Sequence, residues 1–158
     1  MNTQKFFIHG SESSAQGNKG RYFSANFSGM VVGDFCGGAQ ERLAQFTLLV
    51  GDKQGIVIVG SSYGGLVGAM YALKNPAGVK KLIMLAPALD MEEFAAYREL
   101  SVLLPAVLFH GSNDTLVPAQ AVKKIAKRCF PLLEYHLVKD DHSLTETFPH
   151  LPWRELLA

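Results

Sequence analysis

The stretch Gly-Ile-Val-Ile-Val-Gly-Ser-Ser-Tyr-Gly-Gly at residues 55–65 constrains the fold more than any other part of the sequence. Residues 56–59 form a continuous apolar and mostly β-branched run, which is typical of a strand buried on both faces. The run leads directly into a corner of glycines and hydroxyl side chains, and then into an apolar stretch without an ordinary helix cap. Such a strand must turn sharply into a buried helix, as strands do in parallel α/β sheets.

The rest of the chain repeats this alternation of apolar runs and helix-like stretches. The predicted strands are Lys5–His9, Met30–Phe35, Ile56–Gly60, Lys81–Ala86, Ala106–His110 and Leu133–Val138. Helices are predicted at about 40–50, 64–75, 91–100, 119–129 and 148–157, and Ser11–Phe27 is predicted to be a loop with a short helix. The pattern predicts an α/β three-layer sandwich, in which a mostly parallel sheet of about six strands carries helices on both faces.

Length and charge restrict the classes of protein to which the chain can belong. A chain of 158 residues is expected to form one domain, which we place at residues 1–158. The net charge is +1 and the basic residues are scattered, so nucleic acid is not an expected partner. No apolar run reaches the ~20 residues that a membrane-spanning helix needs. No signal peptide precedes the first strand, so a cytoplasmic location is the default expectation.

No sequence pattern indicates a cofactor or a metal. A G-x-G-x-x-G motif after the first strand and a Walker lysine are both missing, so nucleotide binding is not expected. His136 and His150 have no carboxylate or cysteine at metal-ligand spacing, so no metal site is predicted.

Residues 60–64 form a G-x-S-x-G motif that has Ser62 at its centre. A strand that turns sharply into a helix crowds the positions two before and two after the corner, where Gly60 and Gly64 stand. The corner residue adopts a strained backbone conformation that pushes its hydroxyl out above the sheet. Ser62 is therefore a candidate nucleophile, although a serine in a glycine-rich turn is the simpler alternative.

A serine hydroxyl needs a general base, and the base needs a carboxylate to orient it. His142 follows the last predicted strand, and Asp114 follows the strand before it. Ligands in such sheets bind at the carboxyl ends of the strands, so Ser62, Asp114 and His142 are predicted to meet there. Asp140 or Asp141 could also orient the histidine. Asp114 is preferred because immediate sequence neighbours rarely face each other.

The same chemistry requires backbone N–H groups that stabilise a developing oxyanion. One is predicted to be the amide of Tyr63, and the other the amide of Ser11 in the loop after the first strand. Gly10 allows the backbone of that loop to approach closely, although His9-Gly10 alone could be a plain turn. The second His-Gly pair, His110-Gly111, is interpreted as serving packing and the turn that presents Asp114.

Four segments resemble the α/β-hydrolase superfamily: Phe6–Gly10, the corner Val59–Gly65, the H-G-x-x-D-x-x-V-P stretch His110–Pro118 and the D-H-x-L stretch Asp141–Leu144. The resemblance implies a reduced α/β-hydrolase fold without the first antiparallel strands. It also implies that Ser62, Asp114 and His142 are a catalytic triad that works without a cofactor.

The chain departs from the family in having no room for a full cap. Residues 88–101 could form one short lid helix, with Met91 and Phe94 as candidate substrate-binding residues. They could equally form a packing helix.

The resemblance implies a serine hydrolase that cleaves carboxylic esters of small or medium acyl groups through an acyl-enzyme. A thioesterase or protein deacylase on the same fold remains an alternative, as does a binding protein with a relic site. The expected partner is a small-molecule acyl ester, and the sequence does not indicate a protein partner.

Overall fold

The computed structural model describes residues 3–158. The strands are β1 (Lys5–Ile8), β2 (Met30–Val32), β3 (Ile56–Ser61), β4 (Val79–Leu85), β5 (Ala106–Gly111) and β6 (Leu133–Val138). The α-helices are α1 (Asn18–Asn26), α2 (Ala39–Val50), α3 (Tyr63–Lys74), α4 (Ala119–Cys129) and α5 (Trp153–Leu156). Short 3₁₀ helices lie at Pro76–Gly78, Glu92–Tyr97 and Phe148–His150. None of the helices in this part of the chain combines the length and the apolar character that crossing a bilayer requires.

The six strands form one sheet in the order β2-β1-β3-β4-β5-β6, and every neighbouring pair is parallel. The predicted fold class is therefore confirmed, and the sheet is wholly rather than mostly parallel. The strand β3 lies inside the sheet between β1 and β4. Its carboxyl end, which leads to Ser62, is thus flanked on one side by the loop after β1 and on the other by the loops after β4 and β5.

The alternating side chains of the central strands pack into two separate cores. Ile56 and Ile58 face a core that includes residues of α2, α3 and α4, while Val57 and Val59 face a second core. The second core is built from Phe23 of α1 and from aromatic residues near the end of the chain. The side chains of residues 56–59 are all fully buried, which explains why this run is continuously apolar in sequence.

Three predicted elements differ clearly from the observed ones. The predicted helix at 91–100 is only a 3₁₀ helix, Glu92–Tyr97. The predicted helix at 148–157 is divided into a 3₁₀ helix at Phe148–His150 and the single turn α5. The division occurs at Leu151, whose backbone is extended because the next residue, Pro152, disfavours a helical conformation in the residue before it. The predicted strand Met30–Phe35 ends early, at Val32.

Glycines allow the start of α3 to lie directly on the backbone of the sheet. A Cβ atom added at Gly64 would lie 2.1 Å from the carbonyl oxygen of Ile8 in β1, and one added at Gly60 would lie 2.4 Å from the carbonyl oxygen of Gly64. Backbone atoms cannot move aside as a flexible side chain can. The close contact between β1, β3 and α3 therefore depends on the absence of side chains at both positions.

We predict that Gly64→Ala lowers the free energy of unfolding by about 1–3 kcal/mol or more, as overpacking of a close contact does. Urea denaturation measures the change. Gly29→Ala is the matched control, because an added Cβ there has no atom within 4 Å, and a change within about 0.5 kcal/mol is expected. Equal stability of the two variants would contradict the close packing at the corner.

Candidate active site

Ser62 occupies the corner between β3 and α3 with φ 54° and ψ −114°, a conformation that is strained for a residue with a side chain. Hydrogen bonds hold both its backbone amide and its backbone carbonyl. The Ser62 amide donates to the carbonyl of Leu85 at 2.8 Å, and the Ser62 carbonyl accepts from the amides of Gly65 at 3.0 Å and Ala88 at 3.1 Å. These bonds fix the corner and leave the hydroxyl free to make other contacts.

The structure brings Ser62, His142 and Asp114 together in one chain of hydrogen bonds. Ser62 Oγ lies 2.8 Å from His142 Nε2, and His142 Nδ1 lies 2.6 Å from Asp114 Oδ2. Because an ionised carboxylate can only accept, the imidazole proton lies on Nδ1, and Nε2 is left to accept from the serine hydroxyl. The histidine is therefore in the tautomer that a general base for Ser62 needs.

Asp114 is held as an ionised carboxylate although its side chain is fully buried. Its Oδ1 accepts from the amides of Leu116 at 2.9 Å and Val117 at 2.8 Å, and its Oδ2 accepts from His142. Burial alone raises the pKa of this carboxyl. The hydrogen bonds from Val117, His142 and Leu116 outweigh that effect and hold the pKa of Asp114 below its ordinary value. A negative charge is thus kept next to the imidazole.

The two other carboxylates that could orient His142 are occupied elsewhere. Asp140 accepts from the amides of Asp141, Glu146 and Thr147. Asp141 accepts from the amide and the hydroxyl of Thr145. Neither carboxylate contacts the His142 ring, so the structure places Asp114 alone at the position that the sequence left open between three residues.

A second histidine, His110, lies beside Asp114. It is fully buried, and its Nε2 lies 3.1 Å from the Val117 carbonyl oxygen and 3.1 Å from Asp114 Oδ2. Both neighbours are acceptors, so the ring proton lies on Nε2, and the better aligned of the two contacts is the hydrogen bond to Val117. The ring thus braces the turn that carries Asp114. The sequence suggested this role for the His-Gly pair, but not the contact with the carboxylate.

The loop that carries His142 is fixed by polar and apolar contacts on both sides of the histidine. Asp140 is buried and caps three amides, and Leu144 is fully buried with φ 53°. From α1, Lys19 Nζ donates to the Ser143 carbonyl at 2.6 Å. Burial lowers the pKa of Lys19, and the carboxylates of Asp141 and Asp140 partly oppose the change. The imidazole therefore stands on a loop that is tied down at several points.

The loop after β1 is oriented by the ring of His9. His9 Nε2 accepts from the Phe35 amide at 3.0 Å, so its proton lies on Nδ1 and is donated to the Gly10 carbonyl at 2.7 Å. In a trans peptide the C=O and the following N–H point in opposite directions. The Ser11 amide consequently points away from His9, and within residues 3–158 no acceptor for it is found.

The two amides predicted to bind an oxyanion belong to residues that line the same cavity as Ser62 and His142. A Cβ atom added at Gly10 would lie 3.5 Å from Ser62 Cβ, so the loop passes close beside the serine. Tyr63 is the first residue of α3, where a backbone N–H has no partner within the helix. Among residues 3–158 no acceptor is found for the amides of Ser11 and Tyr63, and both residues line the cavity.

The cavity has a volume of about 560 Å³ and two chemically different sides. Most of its apolar lining residues come from the loops after β4 and β5, namely Ala88, Met91, Leu116 and Val117, and Phe7 of β1 lines it as well. Its polar lining residues come mostly from the segment after β1, and they include Ser11, Glu12, Ser13, Asn18, Lys19 and Ser143. An apolar group and a polar group of one ligand could thus lie on opposite sides of Ser62.

Of the two candidate substrate-binding residues, the structure brings Met91 to the cavity and does not bring Phe94 there. Met91 is 39% exposed and lines the cavity. Phe94 is fully buried in the core and stacks on Tyr97 with ring centroids 5.6 Å apart. Met91 precedes the 3₁₀ helix Glu92–Tyr97, whereas Phe94 lies within that helix and its aromatic ring packs into the core.

Residues 88–101 are tied to the domain by polar contacts as well. The Tyr63 hydroxyl donates to Glu93 Oε2 at 2.5 Å, and Arg98 Nη2 donates to the carbonyls of Asp90 at 2.8 Å and Met91 at 3.2 Å. These contacts, together with buried Phe94 and Tyr97, are those of a packed segment beside the cavity. In the part of the chain that the structure describes, no cluster of three or more His, Cys, Asp or Glu residues could hold a metal ion.

Comparisons with known proteins agree with this architecture. A family model described as "alpha/beta hydrolase fold" matches residues 11–103, which is more than half of the chain. No curated protein matches the sequence significantly.

Solved structures similar to the chain include alpha/beta hydrolase domain-containing protein 10 from mouse, with a TM-score of 0.74 and 18% identity over 92% of this chain and 84% of the other. Est1E from Butyrivibrio proteoclasticus with bound ferulic acid has a TM-score of 0.78 and 16% identity, covering 98% of this chain and 87% of the other. The Pyrococcus furiosus esterase has a TM-score of 0.74 and 17% identity, covering 97% of this chain and 79% of the other. At these identities the likeness establishes the fold.

We predict that Asp140 makes the stability of the protein depend on pH. Burial raises the pKa of Asp140, but hydrogen bonds from Thr147, Asp141 and Glu146 outweigh this and lower the pKa. A lowered pKa in the folded state means that Asp140 adds stability above its unfolded value of about 3.9 and loses it as the pH falls further. Asp140→Asn should therefore be less stable than the wild-type protein at pH 7, and the difference should shrink below about pH 4.

Urea denaturation at a series of pH values between pH 3 and pH 7, about 0.5 pH units apart, measures this difference in the free energy of unfolding. Asp52→Asn, at an exposed carboxyl, is the control and should unfold like the wild-type protein. A gap between Asp140→Asn and the wild-type protein that stays constant through the acid range would contradict the assigned role of the carboxylate.

Proposed function

The chain belongs to the α/β hydrolase fold family, and we propose that it is a serine hydrolase that cleaves carboxylic esters of small or medium acyl groups through an acyl-enzyme. The observation that carries the proposal is the pair of hydrogen bonds from Ser62 to His142 and from His142 to Asp114, at 2.8 and 2.6 Å. A serine on a strained corner, a base in the required tautomer and an ionised buried carboxylate are the parts that acyl transfer to serine needs.

The first half of the proposed reaction transfers the acyl group to Ser62. Ser62 Oγ attacks the ester carbonyl carbon while His142 Nε2 takes the hydroxyl proton, and the carbonyl π electrons move to the oxygen. The amides of Ser11 and Tyr63 stabilise that oxyanion, and Asp114 stabilises the imidazolium. When the tetrahedral intermediate collapses, the C–O bond to the alcohol breaks and His142 returns the proton to the leaving oxygen.

The second half releases the acid and restores the enzyme. A water molecule gives a proton to His142 Nε2 and attacks the acyl carbon, and the oxyanion forms again between the same two amides. Collapse then breaks the bond to Ser62 Oγ, which recovers the proton from His142. One ester and one water become one acid and one alcohol, and no further reactant is needed.

The cavity supports the choice of small or medium acyl groups. Leu116 is 74% exposed beside the cavity, and with Met91, Ala88 and Val117 it offers a short apolar wall to an acyl chain. The polar side beyond Ser62 suits the alcohol. Two of the structural neighbours point the same way. Est1E is described with bound ferulic acid, an aromatic carboxylic acid, and the Pyrococcus furiosus protein is described as an esterase. These descriptions support an ester substrate for this chain too.

We predict that Ser62→Ala lowers kcat for p-nitrophenyl butyrate by about 10⁴–10⁶ and abolishes labelling by a fluorophosphonate probe, since loss of the nucleophile removes the acyl-enzyme route. Mass spectrometry of the labelled wild-type protein should locate the adduct on Ser62. Ser61→Ala is the matched control, because its hydroxyl has no contact with His142, and it should keep both labelling and turnover. A folded wild-type protein that takes up no probe would contradict the proposal.

A separate prediction concerns the carboxylate. Asp114→Asn removes the charge that holds the imidazole and should lower kcat about 10⁴-fold, the loss typical of triad carboxylates. Asp141→Asn is the control, because the Asp141 carboxylate hydrogen-bonds to Thr145 and not to His142, and its kcat should remain within about 3-fold of the wild-type value. Similar losses in the two variants would show that Asp114 has been assigned wrongly.

A further inference from the structure

A buried cation that the proposed reaction does not use lies close to the expected oxyanion donors. Arg42 of α2 is only 5% exposed. Within residues 3–158, no carboxylate lies within 4.0 Å of its guanidinium. An arginine stays charged at every ordinary pH. Burying such a charge is costly unless hydrogen-bond acceptors or other electron-rich groups compensate it, so the groups that contact Arg42 are informative.

The guanidinium touches both segments that carry the predicted donors. Its Nη1 lies 3.4 Å from the carbonyl oxygen of His9, two residues before Ser11, and its Nε donates to the Gly37 carbonyl at 3.1 Å. Its central carbon lies 5.1 Å from the centroid of the Tyr63 ring, which is within the range of a cation–π contact. Arg42 therefore connects the loop after β1 with the first residue of α3.

The aromatic side of this contact is itself fixed. The Tyr63 hydroxyl donates to Glu93, and burial, followed by the contact with Glu93, raises the pKa of Tyr63 to about 12, although Arg42 opposes the shift. The ring stays an uncharged phenol at neutral pH, so its electron-rich face remains available to the guanidinium. Glu93 lies on the 3₁₀ helix Glu92–Tyr97, which completes a link from α2 across Tyr63 to the segment beside the cavity.

We propose that Arg42 is a positioning residue for the oxyanion hole. Arg42 fixes the His9–Ser11 loop and Tyr63 relative to each other and places a permanent positive charge behind the amides of Ser11 and Tyr63. The inference rests on the proposed function. A positive charge in a site of low dielectric constant favours the negative oxygen of the tetrahedral intermediate over the neutral ester carbonyl. Arg42 should therefore act on the transition state more than on substrate binding.

The test compares Arg42→Gln, which removes the charge, with Arg42→Lys, which keeps it. For p-nitrophenyl butyrate, Arg42→Gln should lower kcat about 10–100-fold with KM within about 3-fold, since loss of one oxyanion-hole donor costs about 10²–10³ and an indirect support costs less. The Ki of butylboronic acid, which forms a tetrahedral adduct with serine, should rise by the same factor. Arg42→Lys should show only about a 3–10-fold change in kcat and Ki, because the charge remains.

Arg154→Gln is the control for net charge, because Arg154 is exposed on α5 and away from the cavity, and it should behave as the wild-type protein does. Equal losses in Arg42→Gln and Arg42→Lys, or a loss of kcat without a matching rise in Ki, would overturn the role of the charge.

If Arg42→Gln does not fold, Arg42→Lys alone decides: an unchanged ratio of Ki to KM would overturn the proposal. A wild-type protein without turnover or probe labelling would instead reject the proposed function.

Discussion

The arrangement of the site depends on one backbone corner. Ser62 holds a strained conformation at the end of β3. The strain is tolerated because the Ser62 amide donates a hydrogen bond to β4 and the Ser62 carbonyl accepts one from the loop after β4. Gly64 lets α3 begin against the β1 backbone, where any Cβ would collide with Ile8. The same close contact brings the loop after β1 within reach of Ser62. The proposed nucleophile and the proposed oxyanion donors are thus positioned by a single packing constraint.

Buried polar groups fix the positions of the other loops around this corner. His9 orients the peptide before Ser11, His110 braces the turn of Asp114, and Asp140 ties down the loop of His142. Each makes its hydrogen bonds to backbone atoms, so it fixes the path of a loop rather than one side chain. Preorganisation of this kind allows the site to form in a six-stranded sheet with only a short packed segment beside it.

Much of this could be predicted from the sequence, because the responsible signals are local. Apolar stretches, several of them continuous, marked the six strands, and the helix predicted at 119–129 matched α4 to the residue. Ser62, Asp114 and His142 followed from their order at the ends of strands. What was not predicted depends on tertiary contacts. Phe94 turns into the core instead of the cavity, and Arg42 resembles any helix-surface charge until Tyr63 is seen packed against it.

The central claim is that the Ser62 hydroxyl, the His142 imidazole and the amides of Ser11 and Tyr63 converge on a single reacting carbon at the carboxyl ends of the strands. A crystal structure of the protein after reaction with butylboronic acid tests it most directly. The account predicts a tetrahedral boron on Ser62 Oγ, with one oxygen about 2.7–3.1 Å from both amides. An adduct on another residue, or on Ser62 with its oxygens turned away from both amides, would contradict it.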